Sequence, residues 1–330
     1  MMAEGGGGDD DVFVYMGGDQ EESRYVTHAI VNRSINIISR NNAFNNRRWL
    51  VSIEMHDGID IIEEDAFVEC MSLRSIKLTG VRVIENYAFC ACKALEYVEF
   101  GNKLETIGDG AFAHTTSLTN IKLPKVRIIG KWAFRWCEQL TDVELSEDLE
   151  RIGDEAFEGC YRCLRRIAIP LRNNLFGGDN VLKYCDALSQ VDLVGEVHNT
   201  ISSLNLESWR NDMDEEIDSI NWDLPNLGTK DPDEKTLEIK RWIDRVLERM
   251  EHYKSEHHTL LKEAMPLLEL ALWKFKLLDE TFGEMFVGQE GMRTTRGQRK
   301  RARMERRQVA RIASGADIVI RNVLPFLKLE

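Results

Sequence analysis

The chain has 330 residues, of which 43% are hydrophobic and 30% charged, with a formal charge of -13. That is enough apolar material for a sizeable core and too much for a disordered protein; length suits one main domain and a smaller one. No apolar run approaches the ~20 residues of a membrane-spanning helix, and the opening MMAEGGGGDDD lacks the basic and apolar regions of a secretory signal, so an intracellular protein with reduced thiols is expected.

Residues 1–11 form an acidic, glycine-rich lead with little to bury. Residues 12–34 hold two β-branched and aromatic runs, VFVY and YVTHAIV, separated by the turn-forming MGGDQ. They predict a pair of strands capping the open edge of the first coil of a repeat array that begins at residue 35.

From residue 35 to 197 one pattern recurs. Phe44, Phe67, Phe89, Phe112, Phe134 and Phe157 each follow an alanine and stand 23, 22, 23, 22 and 23 residues apart. Six residues after each phenylalanine comes a leucine, at +9 a β-branched residue and at +11 an apolar one, as in Leu73, Ile76 and Leu78. The sixth copy runs one residue late, at Leu164/Ile167/Ile169, and a degenerate seventh ends at Leu188/Val191/Leu193. A unit this short cannot bury its own apolar face, so the copies must stack. Alternation along LxxIxL sends the +9 and +11 side chains inward and the +8 and +10 side chains outward. The outward +10 ladder reads Glu54, Lys77, Glu99, Lys122, Glu144, Ala168 and Asp192, a face that neutralises itself. A second apolar set at -8, -6 and -5, such as Ile59/Ile61/Ile62, predicts a second wall, joined to the strand through a short helical turn that carries the Ala-Phe pair. The Gly- and Asn-rich NNLFGGDN at 173–180 predicts a loop before the final coil.

These residues carry a resemblance. The unit IENYAFCACKALEYVEF, from Ile84 onward, resembles the BspA-type leucine-rich repeat known from bacterial surface antigens and from single-celled eukaryotes, including diatoms; the tail from HNTISSLNLESWRN to VIRNVLPFL looks like the diatom branch. The common leucine-rich repeat has Asn or Cys where this chain has Val81 and Val126, so no asparagine ladder is expected. The resemblance implies an α+β fold: a right-handed leucine-rich-repeat solenoid of about 6–7 coils with a 22–23-residue period, followed by an α-helical C-terminal domain. It also implies a general binding role and brings no catalytic residues.

After Val197 the pattern turns helical. Leu206, Trp209, Met213, Ile217, Ile220 and Leu224 recur at three- and four-residue spacing, then Ile239, Ile243, Val246, Met250, Tyr253, His257, Leu260 and Ala264. Residues 198–280 are therefore read as an α-helical region reaching about Leu278, with Pro266 either kinking a helix or opening its next segment; the helices need a partner surface, either each other or the solenoid's C-terminal edge, and a small helical domain that also caps the solenoid is the favoured reading. Residues 281–312 form a basic linker and 313–330 a C-terminal helix, capped by Ser314.

Catalysis is disfavoured, because no phosphate-cradling loop, nucleophile elbow or HExxH motif occurs. No cofactor is expected. Cys70, Cys92, Cys137, Cys160 and Cys185 share the +3 register and read as small buried groups. Cys160 and Cys163 form one CxxC without the second pair a zinc ribbon needs, and His252, His257 and His258 read as helix surface.

Two partner surfaces are candidates. Tyr87, His114, Trp132 and Trp136 stand two residues before or after a repeat phenylalanine; on a helical turn -2 and +2 share a face, which predicts Trp132 beside Trp136 and a protein-binding patch rimmed by Asp65, Glu69 and Glu155. The other candidate is the basic run of Arg293, Arg296, Arg299, Lys300, Arg301, Arg303, Arg306, Arg307 and Arg311, with only Glu305 against it. It can serve as a nuclear import signal, contact nucleic acid, or fold against the acidic helices. The reading that results is a non-enzymatic scaffold for an unknown protein partner, with a nuclear or nucleic-acid-associated protein as the alternative. The oligomeric state is left open.

Overall fold

A computed structural model describes residues 12–18, 25–40, 44–195, 207–227 and 231–287, and Met304. The expected lead at 1–11, the basic residues Arg293 to Arg311 and the helix expected from Ser314 lie outside the described residues.

The repeats build a parallel β-solenoid of about seven turns. One wall holds β1 (Phe13–Tyr15), β2 (His28–Val31), β4 (Ser52–Glu54), β6 (Ser75–Leu78), β8 (Tyr97–Phe100), β10 (Asn120–Lys122), β12 (Asp142–Glu144), β14 (Arg166–Pro170) and β15 (Gln190–Val194). The other wall is a six-stranded sheet of two-residue strands: β3 (Ile37–Ile38), β5 (Ile61–Ile62), β7 (Val83–Ile84), β9 (Thr106–Ile107), β11 (Ile128–Ile129) and β13 (Arg151–Ile152). Every pairing is parallel, and except for β1 with β2 it joins residues 22 to 24 apart, as Ile121 with Val143 and Val143 with Ile167. The strand pair at 12–34 is parallel too: Phe13 aligns with Ala29 and Ala29 with Ile53, so it continues the coil register.

The phenylalanines stack along the axis. Ring centroids from Phe44 to Phe157 are 5.0, 5.0, 5.1, 5.4 and 5.4 Å apart, with planes within 6° of parallel, and Tyr15 closes the column 5.1 Å from Phe44. This spacing follows from the coil repeat of ~4.8 Å, slightly stretched to seat aromatic rings. The leucines at +6 and the β-branched residues at +9 are buried throughout. Two +11 residues, Met55 and Phe100, are only partly buried. They mark the two interruptions of the long wall, which divides into β1-β2-β4, β6-β8 and β10-β12-β14-β15. Phe100 puts an aromatic ring where neighbouring coils have leucine, and the ring turns edge-on to Phe112, at 5.7 Å and 79°.

The expected helical turn around Ala-Phe does not form. The -2 and +2 residues have positive φ, as at Asp65 (59°), Glu69 (57°), Trp132 (57°) and Trp136 (61°). An α-helix cannot contain such residues, and each costs about 1–2 kcal/mol outside glycine. The compensation comes from the next coil. Asp65, Phe67 and Glu69 donate their N–H groups to Asn86, Ala88 and Cys90 O at 3.1, 2.8 and 2.9 Å, and the same ladder repeats along the solenoid. The intervening N–H groups close short turns, as from Cys70 to Phe67 O at 3.2 Å.

The +3 side chain completes this corner. Cys70, Cys92, Cys137 and Cys185 direct Sγ at the carbonyl of the preceding coil's phenylalanine, at 3.1 to 3.3 Å, and Cys160 at 3.5 Å. In the fourth coil Thr115 takes the place, its Oγ1 donating to Phe89 O at 3.0 Å. From the second coil on, the slot therefore holds a small side chain that can also donate a hydrogen bond, which is more than apolar size; in the first coil the position is Arg47. Burial pushes the Cys92, Cys137 and Cys160 thiols well above their ordinary pKa.

Two helices follow, α1 (Glu207–Asp223) and α2 (Glu234–Val287), linked through a short 3-10 turn at Leu224–Asn226. The chain divides into two compact units, Met1–Glu251 and His252–Glu330. Within the first, α1 covers the last strand: Val191 N–H donates to Asn221 Oδ1 at 2.7 Å, and Asn221 Nδ2 donates to Val191 O at 3.2 Å. One side-chain amide thus stands in for the next rung of the sheet. The start of α2 closes the turn beside it. Lys235 is buried and its Nζ donates to Asp186 O and Leu188 O, both at 2.7 Å, while Thr236 Oγ1 accepts from Leu182 N–H at 3.0 Å. Buried Trp242 joins the helices through Nε1 to Glu216 O at 2.9 Å, and Arg245 and Arg249 both pair with Glu216 at 3.0 Å.

The helix α2 runs past the expected end at Leu278 as one element with Pro266 inside it, so proline does not open a new segment here. Its buried stripe is Ile239, Trp242, Ile243, Val246 and Met250. In the second unit Leu260, Leu270 and Trp273 are exposed, and His252 pairs with Glu256 at 3.5 Å.

Candidate functional site

Because -2 and +2 lie in left-handed backbone, they form two separate columns along the solenoid, and Trp132 and Trp136 belong to different ones. The expected Trp132–Trp136 neighbour pair is not what forms. Trp136 stacks on His114 of the preceding coil, with centroids 6.2 Å apart and planes 9° from parallel, and meets Tyr161 edge-on at 5.1 Å. Tyr161 in turn lies 5.9 Å from Tyr184, whose ring carries Lys183 Nζ 5.5 Å from its centroid. The result is a continuous strip of His114, Trp136, Tyr161 and Tyr184 across the last four coils. His114 and Tyr184 are exposed, Trp136 and Tyr161 partly so.

Glycine makes the packing of this strip possible. A Cβ on Gly159 would meet Trp136 Cδ2 at 3.0 Å, so the indole rests on bare backbone. The same device recurs in the other column, where a Cβ on Gly110 would come within 2.4 Å of the Tyr87 ring. Both glycines sit at φ of +77° and +60°. The gap expected at Gly110 is thus filled by Tyr87, which is itself 36% exposed.

Trp132 serves a different cluster. Its Nε1 donates to Glu155 Oε2 at 2.9 Å, and Arg135 lies 3.7 Å from Glu155 and 2.6 Å from Glu158. The Arg135 contact to buried Glu158 is an ion pair without hydrogen-bond alignment. Burial, and then the neighbouring Glu155, push the Glu158 carboxyl above its ordinary pKa. Burial acts the same way on Glu155, but hydrogen bonds from Glu158 and Trp132 and the charge of Arg135 hold it below. Partial burial, followed by Arg135 and Lys93, lowers the His114 pKa, so its imidazole is neutral at pH 7 and the strip stays uncharged. Of the expected rim, Glu69 pairs with Arg48 at 2.6 Å, and burial raises the Asp65 carboxyl.

The charged faces are occupied by their own ion pairs. On the long wall Lys77 pairs with Glu99 at 3.3 Å and Lys122 with Glu144 at 2.8 Å, each across a hydrogen-bonded strand pair. A depression of about 670 Å³ opens at the break between β8 and β10, beside Tyr97, Asn120 and Arg166. A second ladder escaped the sequence reading: Asp60, Arg82, Glu105, Arg127 and Glu150, all at -7, alternate in sign at the repeat spacing. Arg82 meets Asp60 at 3.1 Å and Glu105 at 4.0 Å, Arg127 Nε meets Glu150 at 3.0 Å, and Lys125 meets Asp148 at 2.9 Å along a groove of about 660 Å³. Its signal was in the sequence, in the same register as the phenylalanines. Tyr184 was missed because Leu182 in place of phenylalanine hides its register, and Tyr161 because it stands at +4, outside the -2 and +2 positions.

Among the described residues, no group of three or more His, Cys, Asp or Glu side chains could hold a metal ion, and no helix is long and apolar enough to cross a membrane. All seven cysteines are free, Cys160 buried and Cys163 partly so.

A family model described as BspA type leucine rich repeat region matches residues 21–125 and 105–210, with six copies. Among solved structures, a leucine-rich repeat protein from Bacteroides ovatus is 25% identical, covering 52% of this chain and 55% of its own, with a TM-score of 0.41. A T. pallidum leucine-rich repeat protein is 24% identical over 45% of this chain and 78% of its own, TM-score 0.38. A leucine-rich cell surface protein from Faecalibacterium prausnitzii is 20% identical over 55% and 64%, TM-score 0.35. The chain thus spans about half the length of the first of these. A comparison with curated proteins finds no match.

Proposed function

This chain belongs to the BspA-type leucine-rich repeat family, and from that membership we propose that it works as a non-enzymatic scaffold that binds another protein. The observation that carries the reading is the strip His114, Trp136, Tyr161 and Tyr184, an uncharged aromatic surface on a rigid ladder whose neighbouring charges already pair among themselves. Aromatic side chains offer large contact area at low entropic cost, which is why they dominate binding hot spots. Tyr87 and Trp132 extend the surface in the parallel column. Among the described residues, the side-chain hydrogen bonds and ion pairs of α1 and of the start of α2 to the solenoid fall at residues 179–191, after the His114 to Tyr161 part of the strip. Seven free thiols fit an intracellular location.

The test is affinity capture with the full chain, identification of the bound protein, and its affinity for the Trp136→Ala/Tyr161→Ala double variant. The expected loss is at least tenfold, about 1.4 kcal/mol, with an unchanged unfolding midpoint. A lowered midpoint with unchanged affinity assigns the strip to packing. If the captured partner is RNA or DNA, released steeply by salt and lost on deleting residues 293–311, the basic segment carries the activity and the scaffold reading fails.

A further inference from the structure

Beside the +2 column runs another, at +4 from the repeat phenylalanine. In the last three coils it reads Glu138, Tyr161 and Asp186, so Tyr161 has a carboxylate one coil to either side. Backbone bonds hold this register, as from Ala187 N–H to Tyr161 O at 3.2 Å. Both carboxylates are exposed, and among the described residues neither has an ion-pair or side-chain hydrogen-bond partner; Lys235 reaches only the backbone carbonyl of Asp186. They are the exceptions to the paired charges around the strip, where Arg135 is taken up by Glu155 and Glu158 and Lys183 lies 3.9 Å from Asp233. Their charge reaches the rings: after burial, Glu158, Tyr184, Glu138 and Asp186 raise the Tyr161 hydroxyl above its ordinary pKa, and Glu138 acts on His114 as well.

The rings themselves are set for a cation. Tyr161 lies between Trp136, tilted 72° to it, and Tyr184, tilted 38°, so three aromatic faces of different orientation meet in one place. Ring faces attract cations within about 6 Å of their centroids. The chain already places one there, Lys183 Nζ at 5.5 Å from the Tyr184 centroid.

Resting on the protein-binding reading of the strip, we propose that the partner presents an extended, arginine-bearing segment whose guanidinium groups stack on Trp136 and Tyr161 and pair with Glu138 and Asp186. Arginine fits better than lysine because its planar fork stacks on a ring and bonds a carboxylate at its edge simultaneously, whereas an ammonium is a point charge. Two coil steps of ~4.8 Å set the carboxylates about 10 Å apart, the span of three extended residues at about 3.3 Å each, so arginines at i and i+3 match both. Unpaired carboxylates repel phosphate, which turns this surface toward a basic protein and away from nucleic acid.

The test is a titration of the full chain with the blocked peptide Ser-Arg-Ser-Ser-Arg-Ser, read at the indole N–H resonance of Trp136, which is assigned by its loss in Trp136→Phe. A saturable shift is expected, with affinity reduced roughly tenfold or more in Glu138→Gln/Asp186→Asn and several-fold for the lysine version of the peptide. Both substituted positions are exposed, so the unfolding midpoint should not move. No shift at Trp136, including binding of the peptide elsewhere on the acidic chain, overturns the proposal, as does equal affinity in the double variant. The captured partner separates this inference from the reading beneath it. Affinity lost in Trp136→Ala/Tyr161→Ala but kept in Glu138→Gln/Asp186→Asn leaves the strip as a protein-binding surface of another chemistry; affinity kept in both removes the strip itself.

Discussion

The indole of Trp136 lies against the bare backbone of Gly159, one coil on, with Cδ2 3.0 Å from where a Cβ would stand. Gly159 also has a φ of +77°, so alanine there is strained twice. Gly159→Ala is expected to destabilise the protein by about 1–3 kcal/mol and to tilt Trp136 outward. Urea midpoints measure the first effect, and a red shift of tryptophan emission the second. An unchanged midpoint would mean that the strip is loose enough to move aside, and so a poor rigid surface.

The +3 slot is expected to accept threonine better than alanine. Thr115 already makes the bond to Phe89 O that Cys137 makes to Phe112 O. Cys137→Thr should therefore cost less than Cys137→Ala, for which about 1–3 kcal/mol is expected from the lost donor and the cavity. Native alkylation supplies a second check: with burial holding the Cys92 and Cys137 thiols protonated, both should label far more slowly than in the denatured chain.

Asn221 stands in for a missing strand, and its removal should be felt locally. Asn221→Leu leaves both backbone groups of Val191 without their partner, at an expected cost of about 1–3 kcal/mol. Hydrogen exchange should speed up at Val191 and its neighbours first. Uniform acceleration across all coils would show that the cap and the solenoid unfold as one unit.

The carboxyls beside Trp132 should respond to pH in opposite senses. Glu158 has a folded-state pKa above the ordinary carboxylate value, so its contribution is complete at acid pH and is lost as pH rises through that raised value. Glu155 has a lowered pKa, so its contribution is present at neutral pH and is lost as pH falls below the ordinary value. Glu158→Gln is therefore expected to raise the denaturation midpoint at pH 7 relative to pH 4, and Glu155→Gln to lower it at pH 7. Identical pH profiles for the two variants would contradict this division.

The solenoid was legible in the sequence because its signal is a period. Phe44 to Phe157 recur at 22 or 23, the leucines and β-branched residues after them at 22 to 24, and any unit that short must stack to bury them. The outward ladders were legible for the same reason, the one at +10 and equally the unread one at -7. A period cannot state the sign of φ. Trp132, Trp136, Tyr87 and Glu69 are residues that alone avoid left-handed backbone, and they accept it because hydrogen bonds from the adjoining coil outweigh the strain. That one tertiary fact moved Trp132 away from Trp136, drew Trp136 onto His114, Gly159 and Tyr161, and so decided which aromatics form the surface. The ends were decided the same way. Asn221 reads in sequence as an ordinary helix residue, and only the docking of α1 on β15 turns its amide into the last rung of the sheet. Sequence period determines the elements that repeat along the axis; contacts between coils and at the termini of the stack depend on residues brought together by packing, which no local pattern encodes.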